Sequence, residues 1–506
     1  MMAPRQVIVK QDTKIFYPVL EWAAFEAVSK IIIQPVGHAE SVLDFRTARL
    51  PRFKPEGIDD FDPRDHREPK CPISNWMAYF NLIRTGFGAG MLGLPLAMSQ
   101  AGIILGTFLM IIIGLLITHM HHTLLNCLNE ISRQLRIPHV SYRYGFRIAL
   151  LHGPAVCQFI GKRGPAIITT FMLLSQLGIC TVFVAFTSDS LKDLMDWESA
   201  NPALLALLVP YLLLEYFMKT LKIISYISLL GNVLNLIGLI LVFYHIFKDP
   251  RKDFTTVVHN AMSLLFAFGI MLFNMSAISV VLTLDKALKN PKILTKKLGV
   301  LNIGMLVPTV VATIFSVLGY WAFGTMEENI LRSLPYDDNV SIVAIGIYLL
   351  AVAFAYPIQC YPAIQIILET VKNRDMLDPP SESSLKIIET ISRPCFVLLS
   401  FAVCYLAPFQ APIVAFVGHL CTTMLALVFP ALMELCIRYP DDYGSYKIYL
   451  LKDLCIILGD IIEDEPFYFT KTTNAKQRPR VPKGYFDSLQ SKSLNTSCGL
   501  SPHDRS

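Results

Sequence analysis

The chain has 506 residues, of which 53% are hydrophobic and 16% are charged, and its formal net charge is +5. Soluble globular proteins carry about 25% charged residues, so this composition excludes that class and indicates an integral membrane protein. No basic tract with interleaved aromatic residues points to a nucleic-acid partner, and no motif indicates an enzyme, a cofactor or a metal site.

Residues 1–73 form a mixed, charged segment without a cleavable signal peptide, and we expect them to be a cytosolic tail. Beyond this tail the chain alternates between polar loops and apolar segments that are long enough to cross a membrane as helices. We therefore predict about ten spans. Their expected positions are 76–99, 103–126, 164–187, 202–218, 222–246, 258–284, 299–323, 340–367, 389–408 and 411–437.

The charges of the loops orient these spans. The segments 130–163 and 286–297 are rich in lysine and arginine. The loops that alternate with these basic segments along the chain are acidic. Because basic loops stay in the cytosol, the N-terminus is predicted to be inside. The sequon Asn339-Val340-Ser341 then lies outside, and we expect Asn339 to be glycosylated.

The chain after the tenth span begins a further helix that stops early. Residues 452–459 read as the opening of an eleventh helix, but four carboxylates follow within residues 460–465. Several carboxylates in a row cannot be buried in hydrocarbon. We therefore divide the chain into three parts: the cytosolic tail, a membrane domain, and a truncated last helix with a polar tail. Their bounds are 1–73, 74–440 and 441–506.

The first predicted span contains an unusual group of helix-weakening residues. Gly86, Gly88, Gly90 and Gly93 are followed by Pro95. Each glycine weakens a helix interior, and the proline removes a backbone donor. We expect the helix to be broken near the middle of the membrane, where the freed backbone groups must face protein or a watery cavity. A broken helix at a cavity is typical of a solute site in a secondary transporter.

The first five and last five predicted spans form two halves, and an odd number of spans per half inverts one half relative to the other. Under this scheme the sixth span is the partner of the first and should also be broken, near residues 273–279. The alternative is a continuous helix whose small residues pack against a neighbour. The predicted fold is an all-α polytopic membrane protein with broken helices and a five-plus-five inverted repeat.

Several motifs occur in order along the predicted spans. They include Asp-Pro at 62–63 and Pro-Ile-Ser-Asn at 72–75, Gly-Ala-Gly-Met-Leu-Gly-Leu-Pro at 88–95, Gly-Tyr-Trp-Ala-Phe-Gly at 319–324, and Phe-Val-Gly at 416–418 leading to Met-Glu-Leu at 433–435. With these motifs the chain resembles the amino acid/auxin permease family over about residues 60 to 455. Within that family it looks most like the proton-coupled amino acid transporters of the insect type.

The resemblance implies a proton-driven transporter of small neutral amino acids with a LeuT-like fold. The chain departs from the family pattern at the sixth span, where Ala277 and Ser279 replace glycines and Thr283 replaces a proline. It also departs from the pattern at the last helix.

A zwitterionic amino acid needs donors for its carboxylate and acceptors for its ammonium group. The free N–H groups at the start of a half-helix are suitable donors, and unwound carbonyls are suitable acceptors. Aromatic residues in the eighth span are further candidates to line the solute site. The alternative role, for these residues and for the glycines of the first span, is helix packing. The predicted substrate-binding residues are Thr85, Gly86, Gly88, Gly90, Ser276, Ala277, Ser279, Tyr356 and Gln359.

The second predicted span carries His119, His121 and His122, and imidazole titrates near neutral pH. By motif position His119 and His122 correspond to histidines that serve proton coupling in the family. The alternative for His121 and His122 is a position at the polar interface. Arg84 is interpreted as a side chain that extends to the membrane surface, with a position facing the cytosolic vestibule as the alternative. The proton is the expected coupling ion, and sodium stays open as an alternative.

We thus expect proton-coupled symport of a small neutral amino acid by alternating access, in the plasma membrane or an endolysosomal membrane. The altered sixth span and the early end of the last helix leave two alternatives. The chain could be a membrane sensor or regulatory protein that binds an amino acid without net transport, or an inactive splice variant. The preferred amino acid and the oligomeric state are left open by the sequence.

Overall fold

The computed structural model describes residues 50, 61–69, 72–248, 261–324, 329–335, 338–372, 381–406, 410–439 and 453. Most of the predicted cytosolic tail, and the predicted eleventh helix with its polar tail apart from Asp453, lie outside the described residues.

The described residues form helices at each of the predicted spans. Eight of the helical segments are long and apolar enough to cross a membrane, and Asn201–Phe217 is a shorter apolar helix. The helices are α1 (Asn75–Gly86), α2 (Ala89–Leu92), α3 (Leu94–Ala101), α4 (Ile103–Gln134), α5 (Tyr142–His152), α6 (Ala155–Gly161), α7 (Gly164–Leu194), α8 (Asn201–Phe217), α9 (Leu221–Lys248), α10 (Ala261–Asn274), α11 (Ile278–Ala287), α12 (Val300–Phe323), α13 (Asn339–Lys372), α14 (Glu382–Leu406), α15 (Gln410–Phe416) and α16 (Phe429–Ile437). The prediction of an all-α polytopic membrane protein is confirmed.

The first span is interrupted at the glycine-rich motif. α1 ends at Gly86, Phe87 and Gly88 follow outside any helix, and α2 begins at Ala89. Gly88 has an extended backbone, with φ −95° and ψ −167°. Because glycine loses the most conformational freedom in a helix, the chain leaves the helical conformation at this point, as the sequence predicted.

The sixth span is interrupted as well, although it lacks the glycines of the first. α10 ends at Asn274, and α11 begins at Ile278. The intervening residues Met275, Ser276 and Ala277 are buried. Asparagine and serine have lower helix propensity than the apolar residues around them such as leucine and methionine, which favours a break here. The alternative of one continuous helix is therefore wrong.

The sixth span lies at the centre of the bundle. In the apolar stretch of this span 78% of the residues are buried, compared with 33% in the corresponding stretches of α4, α9 and α14. α4 instead exposes large apolar side chains, among them Ile104, Phe108 and Leu115. An exposed apolar surface of this size is suited to lipid, so the broken sixth span is shielded from lipid by helices such as α4.

The tenth span winds more loosely than an ordinary helix. Its middle segment, Val417–Val428, is π-helical and joins α15 to α16. This span crosses α10 at close range, because a Cβ atom added to Gly269 would lie 2.6 Å from the carbonyl oxygen of Ala415. Backbone atoms at that distance cannot move aside as a flexible side chain can. The crossing therefore requires glycine at position 269.

We expect Gly269→Ala to destabilise the protein, because the added methyl group overlaps the Ala415 backbone. Overpacking of this kind costs about 1–3 kcal/mol. The melting temperature of the purified protein in detergent should fall clearly. Gly346→Ala in α13 is the matched control, since a Cβ atom there meets nothing within 4 Å. Equal melting temperatures for the two variants would contradict the close crossing.

Candidate functional site

A small cavity lies between the two breaks. Its lining comes from the first, third, sixth and eighth spans and consists of Thr85, Gly88, Gly90, Ile179, Phe183, Phe273, Asn274, Ser276 and Gln359. The space open to the centre of a water-sized sphere is about 10 Å³, which is room for about one water molecule. The two broken spans thus face each other across a very small space.

Five of the predicted binding residues line this cavity: Thr85, Gly88, Gly90, Ser276 and Gln359. The two glycines let the first span approach closely. A Cβ atom on Gly88 would lie 3.3 Å from the Phe183 ring, and one on Gly90 would lie 2.9 Å from the Phe273 ring. Thr85 directs its hydroxyl to the Leu82 carbonyl oxygen, 2.6 Å away.

The other predicted binding residues lie elsewhere. A side chain on Gly86 would overlap Pro308 of α12, so this glycine serves helix packing. Ser279 accepts a hydrogen bond from Gln176 at 2.6 Å, and Ala277 precedes the first turn of α11.

Tyr356 does not line the cavity. Its hydroxyl lies 2.9 Å from that of Ser400 in α14. Its ring meets the Tyr211 ring edge-on, with the two centroids 4.9 Å apart. It is therefore a packing residue between α8, α13 and α14.

Four lining residues were not predicted: Ile179, Phe183, Phe273 and Asn274. The first three are ordinary apolar residues in a span, and the sequence carries no signal that separates them from core residues. Asn274 did carry a signal, because a polar residue in the middle of a membrane span is a functional candidate by default. Asn274 is 3% exposed, which excludes glycosylation at its sequon.

The Asn274 side chain is buried without hydrogen-bond partners. Both its Oδ1 and its Nδ2 atoms lack one within the described part of the chain. Leaving a buried polar group unpaired costs about 1–3 kcal/mol. A buried amide with both atoms unpaired, at the edge of a cavity, is the arrangement expected of a group that meets a ligand.

Arg84 is buried, which shows that the interpretation of a side chain extending to the membrane surface is wrong. It is 1% exposed and donates hydrogen bonds to three carbonyl oxygens. These belong to Phe87 at 3.2 Å, Gly231 at 3.3 Å, and Ala351. Sequence reasoning missed this role because two of the three acceptors, Gly231 and Ala351, belong to spans far away in the chain.

Two asparagine side chains of the fifth span donate hydrogen bonds to backbone carbonyl oxygens of the first span. The amide of Asn235 donates to the Phe87 carbonyl oxygen, and that of Asn232 donates to the Phe80 carbonyl oxygen at 2.9 Å. Asn81 of α1 donates in turn to Ser225 at 2.8 Å. The carbonyl group freed at the first break is therefore satisfied by two donors, as a membrane interior requires.

The lining of the cavity contains no charged side chain. A solute with a net charge would find no counter-charge there, whereas a zwitterion can use the dipoles of the half-helix ends. Among the described residues, no cluster of three or more His, Cys, Asp or Glu side chains could hold a metal ion. The site is thus chemically suited to a small, net-neutral solute.

The histidines of α4 do not line the cavity. His119 is exposed on the same face of the helix as Leu115. His121 is buried, with its Nδ1 atom 2.7 Å from the Ile117 carbonyl oxygen. The Nε2 atom of His122 lies 2.6 Å from Oδ1 of Asn302 in α12, so His122 connects the second and seventh spans.

One end of the bundle, which we call the basic end, carries the loops at 130–163 and 286–297. There Arg67 and Asp285 form an ion pair at 2.8 Å, with both side chains 5% exposed. Arg67 also donates to the Pro138 carbonyl oxygen at 3.0 Å and to Asn129 at 2.8 Å. The residues before the first span are thereby held against the end of the sixth.

His139 lies beside this pair, 3.8 Å from the Asp285 carboxylate. Burial, together with the positive charges of Arg67 and Lys286, holds the pKa of His139 well below its ordinary value. His139 is therefore neutral at physiological pH and does not compete with Arg67 for the carboxylate. A backbone pairing adds to the contact, because Ile73 N–H donates to the Ala287 carbonyl oxygen at 3.0 Å.

The predicted glycosylation residue, Asn339, is exposed at the first position of α13. An acceptor asparagine has to be accessible in this way, and glycosylation of Asn339 stays a prediction.

Comparison with known proteins identifies relatives of the chain. It is 26% identical to the "Proton-coupled amino acid transporter-like protein pathetic" of Drosophila melanogaster over 411 residues, which are 80% of this chain and 85% of that protein. It is 23% identical to the "Amino acid transporter ANT1" of Arabidopsis thaliana over 378 residues, 71% of this chain and 84% of that protein.

The family model described as "Transmembrane amino acid transporter protein" matches residues 72–462. This range contains both broken spans and the whole lining of the cavity. The predicted resemblance to the amino acid/auxin permeases is confirmed, and the chain belongs to the transmembrane amino acid transporter family.

Proposed function

We propose that this chain carries small neutral amino acids across its membrane together with protons, by alternating access. The observation that carries the proposal is the small, uncharged cavity between the breaks of the first and sixth spans. The name of the Drosophila relative includes proton-coupled amino acid transport, which agrees with this chemistry.

The ends of the broken helices suit both charged groups of a zwitterion. α11 begins at Ile278, so the positive end of its dipole and its first N–H groups suit a carboxylate. α10 ends at Asn274, and its last carbonyl groups suit an ammonium group. A free amino acid presents these two charges on one carbon atom, so a single break can hold both.

The aromatic walls limit the size of the substrate. Phe183 and Phe273 lie so close to the first span that a Cβ atom on Gly88 or Gly90 would be only 3.3 Å or 2.9 Å from the respective ring. The present volume admits about one water molecule, so an amino acid enters only after the two broken spans separate. This need for opening supports alternating access.

The ion pair at the basic end is a suitable closure on one side. By the positive-inside rule the basic end faces the cytosol. The Arg67–Asp285 pair joins the residues before α1 to the end of α11. Opening a path to the cytosol between the first and sixth spans would require this pair to separate.

Proton coupling is assigned to His119 and His122 by motif position. The contact of His122 with Asn302 links α4 to α12, so coupling through His122 would act at the contact between these two spans. The exposed position of His119 places it away from the cavity. Its proton would therefore act on the conformation of the bundle and not directly on the substrate.

We expect cells that express the chain to take up a small neutral amino acid, and uptake should rise as the external pH falls, because a larger inward proton gradient drives symport. His119→Ala and His122→Ala should flatten this pH dependence. Radiolabelled glycine, alanine, serine and proline are suitable solutes, with lysine and glutamate as charged controls. Ligand-dependent thermal stabilisation without flux, for protein shown to be in the membrane, would instead support the sensor.

We expect Gly90→Ala to impair uptake by about tenfold or more, because its methyl group would crowd Phe273 and Asn274 across the cavity. Uptake is normalised to the amount of protein in the membrane. Gly346→Ala, which adds the same methyl group in open space, should keep normal uptake. A Gly90→Ala variant with unchanged uptake would place the substrate somewhere else.

We expect Arg67→Ala to open the cavity to the cytosol, since removal of one partner from a buried ion pair costs about 3–5 kcal/mol. The measurement is the labelling of Ser276→Cys by a membrane-impermeant thiol reagent applied from the cytosolic side. Protein with serine at 276 supplies the baseline for the native cysteines. Arg133→Ala breaks the more exposed pair with Glu130 on α4 and is the control. Labelling that is no faster in Arg67→Ala than in Arg133→Ala would contradict this closure.

A further inference from the structure

The side chain of Asn274 is the unexplained group in the cavity. It lies at the last position of α10, is 3% exposed, and lines the cavity from the sixth span. Its oxygen faces the first span, because a Cβ atom added to Gly90 would lie 3.2 Å from Oδ1. Neither Oδ1 nor Nδ2 has a hydrogen-bond partner among the described residues. The amide therefore stands between the two breaks with its hydrogen-bonding capacity unused.

The backbone at the breaks already provides for the charges of an amino acid. Carboxylate and ammonium groups are ions, and helix ends with their free N–H and C=O groups are suited to them. The Asn274 amide carries no charge, but it offers a donor and an acceptor side by side. A hydroxyl group is its chemical complement, since it also donates one hydrogen bond and accepts others.

We propose that Asn274 determines the specificity of the cavity and selects small amino acids whose side chain carries a hydroxyl group. The inference rests on the proposed function, because it assumes that an amino acid occupies this cavity. Serine and alanine differ by one oxygen atom. Alanine would leave both amide atoms buried and unpaired, whereas serine would pair them. A site built to hydrogen-bond a substrate group discriminates strongly against the analogue that lacks it.

The surrounding residues strengthen the selection. Ser276 and Gln359 are further neutral polar groups in the lining, whereas Ile179, Phe183 and Phe273 form its apolar walls. The aromatic walls disfavour long side chains, so the hydroxyl group has to be close to the Cα atom. Serine and threonine meet both conditions.

The test compares serine with alanine on the purified full-length protein, by ligand-dependent thermal stabilisation and by competitive uptake. The wild-type protein is expected to prefer serine by at least about tenfold in apparent affinity. Asn274→Leu, which has a similar volume but no polar atom, should bring the ratio close to one while alanine still binds. Asn274→Gln keeps the amide and should retain part of the preference. Asn201→Leu, the same change at an exposed position of α8, is the control and should keep the wild-type ratio.

Equal affinity of the wild-type protein for serine and alanine would overturn the proposal. A proportional loss of both ligands in Asn274→Leu would overturn it as well, since the amide would then hold the charged groups that all amino acids share. If Asn274→Leu does not fold, retention of the preference in Asn274→Ala overturns the proposal and its loss supports it. Serine-selective stabilisation without any flux supports the specificity role but contradicts transport, so the two failures are distinguishable.

Discussion

A carbonyl group released by a broken helix inside a membrane must find a donor, because lipid offers none. At the first break the Phe87 carbonyl oxygen receives two donors, from Arg84 and from Asn235. The same guanidinium group reaches carbonyl oxygens of α9 and α13. One buried cation thus connects the first, fifth and eighth spans at the level of the break, and the unwound backbone of the first span depends on these neighbours.

The space between the two breaks differs from the surroundings of Arg84 in its charge. No charged side chain lines the space between the breaks, and the polar groups there are neutral amides, hydroxyl groups and backbone. Arg84 is directed to carbonyl oxygens outside this lining, so its charge is partly compensated before any solute arrives. A net-neutral solute with separated positive and negative groups is the chemical complement of such a space.

The two broken spans also meet at the basic end, where the Arg67–Asp285 pair and the Ile73–Ala287 hydrogen bond join the start of the first span to the end of the sixth. The two residues of each contact are far apart in the sequence but adjacent in the fold. A relative movement of the first and sixth spans would therefore change the cavity and this ionic contact together. This mechanical link suits a protein whose family moves amino acids across membranes.

The sequence by itself determined the spans and the break in the first of them, because the length of apolar segments and the weakness of glycine in a helix are local properties that a bilayer makes decisive. The break in the sixth span contains no glycine, and it was predicted mainly from the inverted-repeat scheme. The sequence also singled out Thr85, Gly88, Gly90, Ser276 and Gln359, which the structure places in the lining of the cavity. Only the tertiary structure decided which side of each span faces the cavity. Tyr356 pairs with Ser400, Gly86 meets Pro308, and Arg84 is buried among carbonyl oxygens. Each of these outcomes depends on a packing partner from a distant span, and the residues next to it in the sequence carry no trace of that partner.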